Sequence, residues 1–94
     1  MLEWQETAPN QVTIKGRLDQ WNLARLMPIT PLLAAFKELL IIDLSAINKI
    51  DSAGLAFLLE LKQQAGTLGL KIEFQGSPSS LNKLKSLYNL EQLF

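Results

Sequence analysis

The side chains able to do chemistry gather in one stretch, Ile41-Ile42-Asp43-Leu44-Ser45-Ala46-Ile47-Asn48-Lys49-Ile50 followed by Asp51-Ser52-Ala53-Gly54-Leu55. Asp43 and Asp51, if they approach one another at the end of a central strand, make a carboxylate pair of the kind that moves protons. The competing reading is structural and stronger. Asp51 stands where a helix N-cap should stand, with its carboxylate accepting from free backbone N–H groups, and Asp43 caps a strand end or a turn. Gly54 near a helix start could help seat an anion at the positive end of the dipole, but close helix–strand packing explains it equally well. The five glycines, at 16, 54, 66, 69 and 76, are scattered and form neither phosphate-cradling pattern. The chain has no cysteine and no histidine. That removes thiol nucleophiles, disulfides, sulfur-ligated metals, the commonest zinc ligand and the side chain that titrates nearest neutrality. No catalytic residue, cofactor or metal is expected, and the chain reads as a non-enzyme.

These residues need a strand, a connection and a helix to hold them. Leu39 to Ile42 is an uninterrupted apolar run, too short for a helix and rich in β-branched side chains, so it reads as a buried strand. The residues up to Ile50 then form a short connection. The following helix runs from Ser52 to about Ala65, with Gly66 as its stop. Upstream, Leu2 to Glu6 is an edge strand, Pro9-Asn10 a turn, and Val12, Ile14 and Gly16 to Leu18 a second strand with alternating polarity. Asp19 caps a helix carrying Trp21, Leu23, Leu26 and Met27, which Pro28 and Pro31 break or kink. A second helical piece spans Leu32 to Lys37. Downstream, Gly69 opens a turn into the strand Leu70 to Gln75. Ser77-Pro78 then offers an N-cap and a proline at the first helical position. Leu81, Leu84, Leu87 and Tyr88 supply the apolar stripe of a last helix, with Lys83 and Lys85 facing out, and Leu90 to Phe94 can dock as a tail. The order is β-β-α-β-α-β-α, an α/β arrangement on a mixed sheet, with a minimal flavodoxin-like fold as the competing architecture.

Stepping the 52–65 helix at about 100° per residue places Gly54, Leu55, Phe57, Leu58, Leu61 and Ala65 on one broad arc, the core face. Ser52, Ala56 and Leu59 fall together on another side, bordered by Glu60 and Gln63. Small apolar residues around a serine with a polar rim suit a docking surface. The candidate partner-binding residues are Asp51, Ser52, Ala53, Ala56, Leu59 and Gln63, a choice implied mainly by the resemblance of this helix start to a known family. The plainer alternative packs Leu59 under a neighbouring element or leaves it as an ordinary exposed leucine.

An apolar strand ending in Asp43-Leu44-Ser45 and followed by Asp51-Ser52-Ala53-Gly54-Leu55 resembles the STAS domain. The resemblance covers nearly the whole chain. The early Trp4 strand, Gly16-Arg17-Leu18-Asp19 and Leu87-Tyr88-Asn89-Leu90 look closest to the MlaB-type subunit of the Mla phospholipid-transport ABC system. It implies an α/β STAS (SpoIIAA-like) sandwich, a small mixed β-sheet with helices packed mainly on one face. It also implies a partner, the ATP-binding subunit of an ABC transporter that maintains outer-membrane lipid asymmetry. The other branch it brings in is the anti-sigma factor antagonist, whose serine after this aspartate is phosphorylated by a partner serine kinase. Carried onto this chain, that makes Ser52 a possible phosphorylation site. A helix N-terminus favours the added charge, whereas the neighbouring Asp51 repels it. Antagonists show two hydroxyl residues before the glycine, and here Ala53 takes the second place.

Composition sets the remaining bounds. At 94 residues the chain is expected to be one domain, residues 1–94, burying roughly 60–65% of its unfolded surface. Nine basic and nine acidic residues cancel, and no basic stripe suited to phosphates is present, so no nucleic-acid partner is expected. The first residues lack the basic start and apolar core of a signal peptide, and no apolar run approaches the length of a membrane span. The expectation is a cytoplasmic protein, peripheral to the inner membrane through its complex and without direct membrane insertion.

Overall fold

Alternation of apolar and polar residues builds the first half of the sheet. The structure, a computed structural model, describes residues 1–90. Strand β1 (Leu2–Ala8) turns at Pro9-Asn10 into β2 (Gln11–Leu18), and the two pair antiparallel with Trp4 opposite Ile14 and Leu2 opposite Gly16. Along β2, Val12, Ile14 and Leu18 are buried while Lys15 and Arg17 are exposed, so one face of the sheet is wet. Strand β3 (Leu39–Asp43) runs parallel to β2 and to β5 (Lys71–Gln75), giving the order β1-β2-β3-β5. The helices α1 (Ile29–Leu33), α2 (Ser52–Thr67) and α3 (Ser79–Leu87) cover the apolar face, where Leu40, Ile42, Leu58, Leu61 and Leu81 are fully buried. The sheet is mixed and the class α/β, as expected.

Several local expectations are corrected. The connection after β3 holds a further strand, β4 (Ile47–Ile50), which runs parallel to the C-terminal half of β2. β2 thus meets β3 with its first half and β4 with its second, separated by the excursion Leu44–Ala46. In β4 only the end residues Ile47 and Ile50 are buried, so no alternation announces it. Among the described residues the order is therefore β-β-α-β-β-α-β-α, with five strands.

The helix expected after Asp19 shrinks to one 3₁₀ turn, Leu23–Leu26. Asp19 is buried at 2% exposure, and its Oδ1 accepts from the Trp21 N–H (3.2 Å) and the Asn22 side-chain amide (2.7 Å). That local ring offers the backbone an alternative to helix. Pro28 then precedes α1, and Pro31 lies in its first turn, where no N–H is needed. The helical piece therefore begins before Leu32 and ends at Leu33, short of Lys37.

α2 continues past Gly66 to Thr67, and the left-handed residue that ends it is Gly69, with φ +73°. The Gly69 N–H bonds the Gly66 carbonyl (3.2 Å) and the Leu70 N–H bonds that of Ala65 (2.8 Å), the paired bonds of a Schellman stop.

α3 begins at Ser79, with Pro78 rather than Ser77 at the cap position. Of its apolar stripe, Leu81 is buried and Leu84 half-buried, but Leu87 and Tyr88 are exposed. The expected docking of the tail lies, beyond Leu90, outside the described residues.

Candidate functional site

The site begins with Asp51. Its extended backbone turns the chain from β4 into α2, and its Oδ1 accepts from the Gly54 N–H at 2.9 Å, closing the N-cap. The second oxygen, Oδ2, accepts from the Gln20 N–H at 3.0 Å, while the Asp51 N–H reaches the Leu18 carbonyl at 3.4 Å. The start of α2 is thereby fastened to the end of β2. Gly54 makes this approach possible, since a Cβ there would overlap the Leu18 carbonyl oxygen and meet Ile50 Cγ1 at 2.9 Å. Asp43 is occupied elsewhere, its Oδ1 accepting from the Ser45 N–H at 2.9 Å in a turn. The two carboxylates of the stretch thus serve a cap and a turn.

From that fastening, α2 presents two faces. Gly54, Leu55, Phe57, Leu58, Leu61 and Ala65 are buried, the arc expected from the periodicity. On the outer side Ser52, Ala56 and Gln63 are exposed, and Asp51, Ala53 and Leu59 are half-buried. Two grooves flank the outer side. The first, about 400 Å³, is lined by Ser52, Leu55, Ala56, Leu59, Tyr88 and Leu90. The second, about 280 Å³, is lined mainly by Leu23, Met27, Ala53, Ala56, Phe57 and Glu60. Ala56 is the low ridge shared by both. Ser52, Ala56 and Leu59 come together in the first groove and Ala53 joins Ala56 in the second, whereas Gln63 lines neither.

Sequence reasoning missed the walls. Tyr88 is half-exposed beside α2 because α3 ends in its own Schellman stop, with Asn89 at φ +57° and the Leu90 N–H bonded to the Lys85 carbonyl at 2.7 Å. Leu23 and Met27 reach α2 because the 3₁₀ turn lies beside it. Their apolar character is legible in the sequence, but nothing in a periodicity says which half of a stripe is left uncovered.

Beneath the second wall, Asp19 holds the turn. The Asn22 amide does most to keep its carboxyl below the ordinary aspartate value; burial pushes the other way, and Arg17, whose Nε lies 3.3 Å from Oδ2, adds to the lowering with the Trp21 and Asn22 N–H groups. Among the described residues no group of three His, Cys, Asp or Glu side chains could hold a metal ion, and no helix is long and apolar enough to cross a membrane.

The family described as "Mlab, STAS domain" matches residues 2–94. The chain belongs to this STAS family. Two relatives carry the name intermembrane phospholipid transport system binding protein MlaB, one from Escherichia coli (strain K12) and one from Shigella flexneri. Each is 35% identical to this STAS domain over 89 residues, covering 95% of this chain and 89% of the relative. The solved structure of the anti-sigma factor antagonist SpoIIAA in its unphosphorylated form superposes with a TM-score of 0.67. That likeness covers 100% of this chain and 84% of the other at 15% identity, and it establishes the STAS fold alone.

Proposed function

We propose that this STAS domain is a non-enzymatic subunit that binds the ATP-binding subunit of a phospholipid-transporting ABC system and supports its ATPase. The observation carrying this reading is the outer face of α2, where small residues, Ser52, Ala53 and Ala56, lie between two apolar grooves. Small side chains let a partner backbone approach closely, and the grooves accept its larger apolar residues, leaving Gln63 and Glu60 for the rim. The relatives' name supplies the system. In this reading the domain sits in the cytoplasm against the inner membrane through its complex, and the complex helps maintain outer-membrane lipid asymmetry.

The test is copurification of the ATP-binding subunit with the wild-type chain and with Ser52→Glu. Ser52 is exposed at the first position of α2, so an acidic side chain there suits the helix dipole and leaves the isolated domain folded. In the complex the same carboxylate is buried without a partner, which costs ~2–5 kcal/mol, roughly 30- to several-thousand-fold in affinity. Ser52→Glu should melt normally and lose the ATPase, and Ser52→Ala should retain most binding. Normal binding by a folded Ser52→Glu chain removes this face from the contact.

A second reading rests on the exposed Ser52 hydroxyl, which is open to a kinase. Phosphoserine at this position in native material, together with controlled release of a serine kinase, is the result that selects an anti-sigma factor antagonist instead.

A further inference from the structure

We infer that Trp21 is a second anchor of the same contact, and that Asp51 is the positioning residue that holds it beside α2. The inference rests on the function proposed above and names a part of the surface outside the helix. Trp21 is 81% exposed, yet its backbone is pinned. Its N–H donates to Asp19 Oδ1, the following Asn22 and Leu23 N–H groups donate to the Asp19 carbonyl (3.0 and 3.1 Å), and the preceding Gln20 N–H donates to Asp51 Oδ2. A large aromatic held out in water on a fixed backbone loses little further backbone freedom when a partner covers it. Such residues supply much of the affinity where an interface has a few dominant contacts.

The occupant is the ATP-binding subunit itself. The Trp21 turn is continuous with the proposed face, because Leu23 and Met27 of the same segment line the groove that Ala53 and Ala56 complete. The charge pattern agrees. Trp21, Met27, Ser52, Ala53, Ala56 and Leu59 carry no formal charge, and both Asp51 oxygens are engaged by backbone N–H groups. The facing surface is therefore expected to be apolar at its centre, with charge at a rim set by Glu60 and by Arg25, which is exposed on the same 3₁₀ turn.

Asp51 couples the two parts, and an asparagine in its place separates its two jobs. The substituted side chain would remain a good N-cap toward Gly54, but its amide N–H₂ would face the Gln20 N–H, donor against donor. Asp51→Asn should then free the turn while α2 stays capped.

The experiment titrates the purified ATP-binding subunit into the full chain carrying fluorotryptophan at both tryptophans, read by fluorine NMR, and measures affinities for the variants. Trp21→Ala identifies the Trp21 resonance. Trp4, half-buried against the core, is the internal control. The Trp21 resonance should move on binding while that of Trp4 stays. Trp21→Ala should weaken binding roughly 30-fold or more with unchanged melting. Asp51→Asn should weaken it less, and should add nothing in a Trp21→Ala background. Unchanged affinity for Trp21→Ala with an unmoved resonance overturns the anchor, while Ser52→Glu still losing the ATPase leaves the function standing. Full additivity of Asp51→Asn and Trp21→Ala overturns the positioning role. A wild-type chain that binds no ATPase brings down the function and this inference together.

Discussion

Asp19 and Asp51 look alike in the sequence, each an aspartate opening a helical segment, yet they act differently. Asp51 is legible as a cap because small residues and a long apolar period follow it. Its second bond, to Gln20 thirty-one positions away, is not, since nothing local encodes that meeting. Asp19 has the spacing of a helix cap and instead closes a turn, because the Asn22 amide is within reach of its carboxylate. A depressed carboxyl pKa has a consequence with a definite sign. Between the folded and unfolded values the unfolded chain binds more protons, so stability rises with pH there. The contribution of Asp19 is fully present above the unfolded value of about 3.9 and is lost as pH falls below it through the folded value. Acid unfolding followed by circular dichroism should show wild type losing stability in this window faster than Asp19→Asn, the two converging at the acid end. Parallel curves would mean that Asp19 is not tuned by its turn.

Within α2 the periodicity carries the most information, since a 16-residue helix samples its arc several times. Leu58 and Leu61 are fully buried and Leu59 only partly. Truncation to alanine should cost about 2–5 kcal/mol at the first two and clearly less at Leu59. Urea melts that rank Leu59→Ala as the most damaging would place the helix in the wrong phase. The glycines give a sharper pair. Helix propensity alone favours alanine over glycine by about 1 kcal/mol at both Gly54 and Gly66. At Gly66 a Cβ meets nothing within 4 Å, so Gly66→Ala should stabilise by about 0.4–1 kcal/mol. At Gly54 it meets the Leu18 carbonyl, a backbone atom that cannot swing away, so Gly54→Ala should destabilise by about 1–3 kcal/mol despite the better propensity. Equal effects in thermal melts would refute the close approach. Shorter elements are less legible. β4 offers four residues with only its ends buried, too few to separate a strand from a loop without seeing Leu18 and Gly16 beside it.

Over the whole molecule, the strand–helix alternation and the wet and dry faces of β2 and β5 are legible in the residue order, because each depends on near neighbours. The groove walls are not, because Tyr88 and Met27 come to α2 only through the way separate segments of the chain stop and turn. With no phosphate-cradling loop in the chain, the purified domain should neither bind ATP in calorimetry nor turn it over. Hydrolysis above a contaminant-controlled blank would reverse that expectation. The two-faced build of α2 also bears on how such a domain changes over generations. Under the proposed contact, Ser52, Ala56 and Trp21 could drift to suit a new partner without loosening the core, and Leu58, Leu61 and Ala65 could be repacked without altering what is recognised. Leu55 and Phe57 belong to both sets, buried at 2% and 4% exposure while also forming groove floors. Within α2, and under the proposed contact, those two positions are where a lineage exchanging partners meets its tightest constraint, because one substitution there is judged by folding and recognition at once.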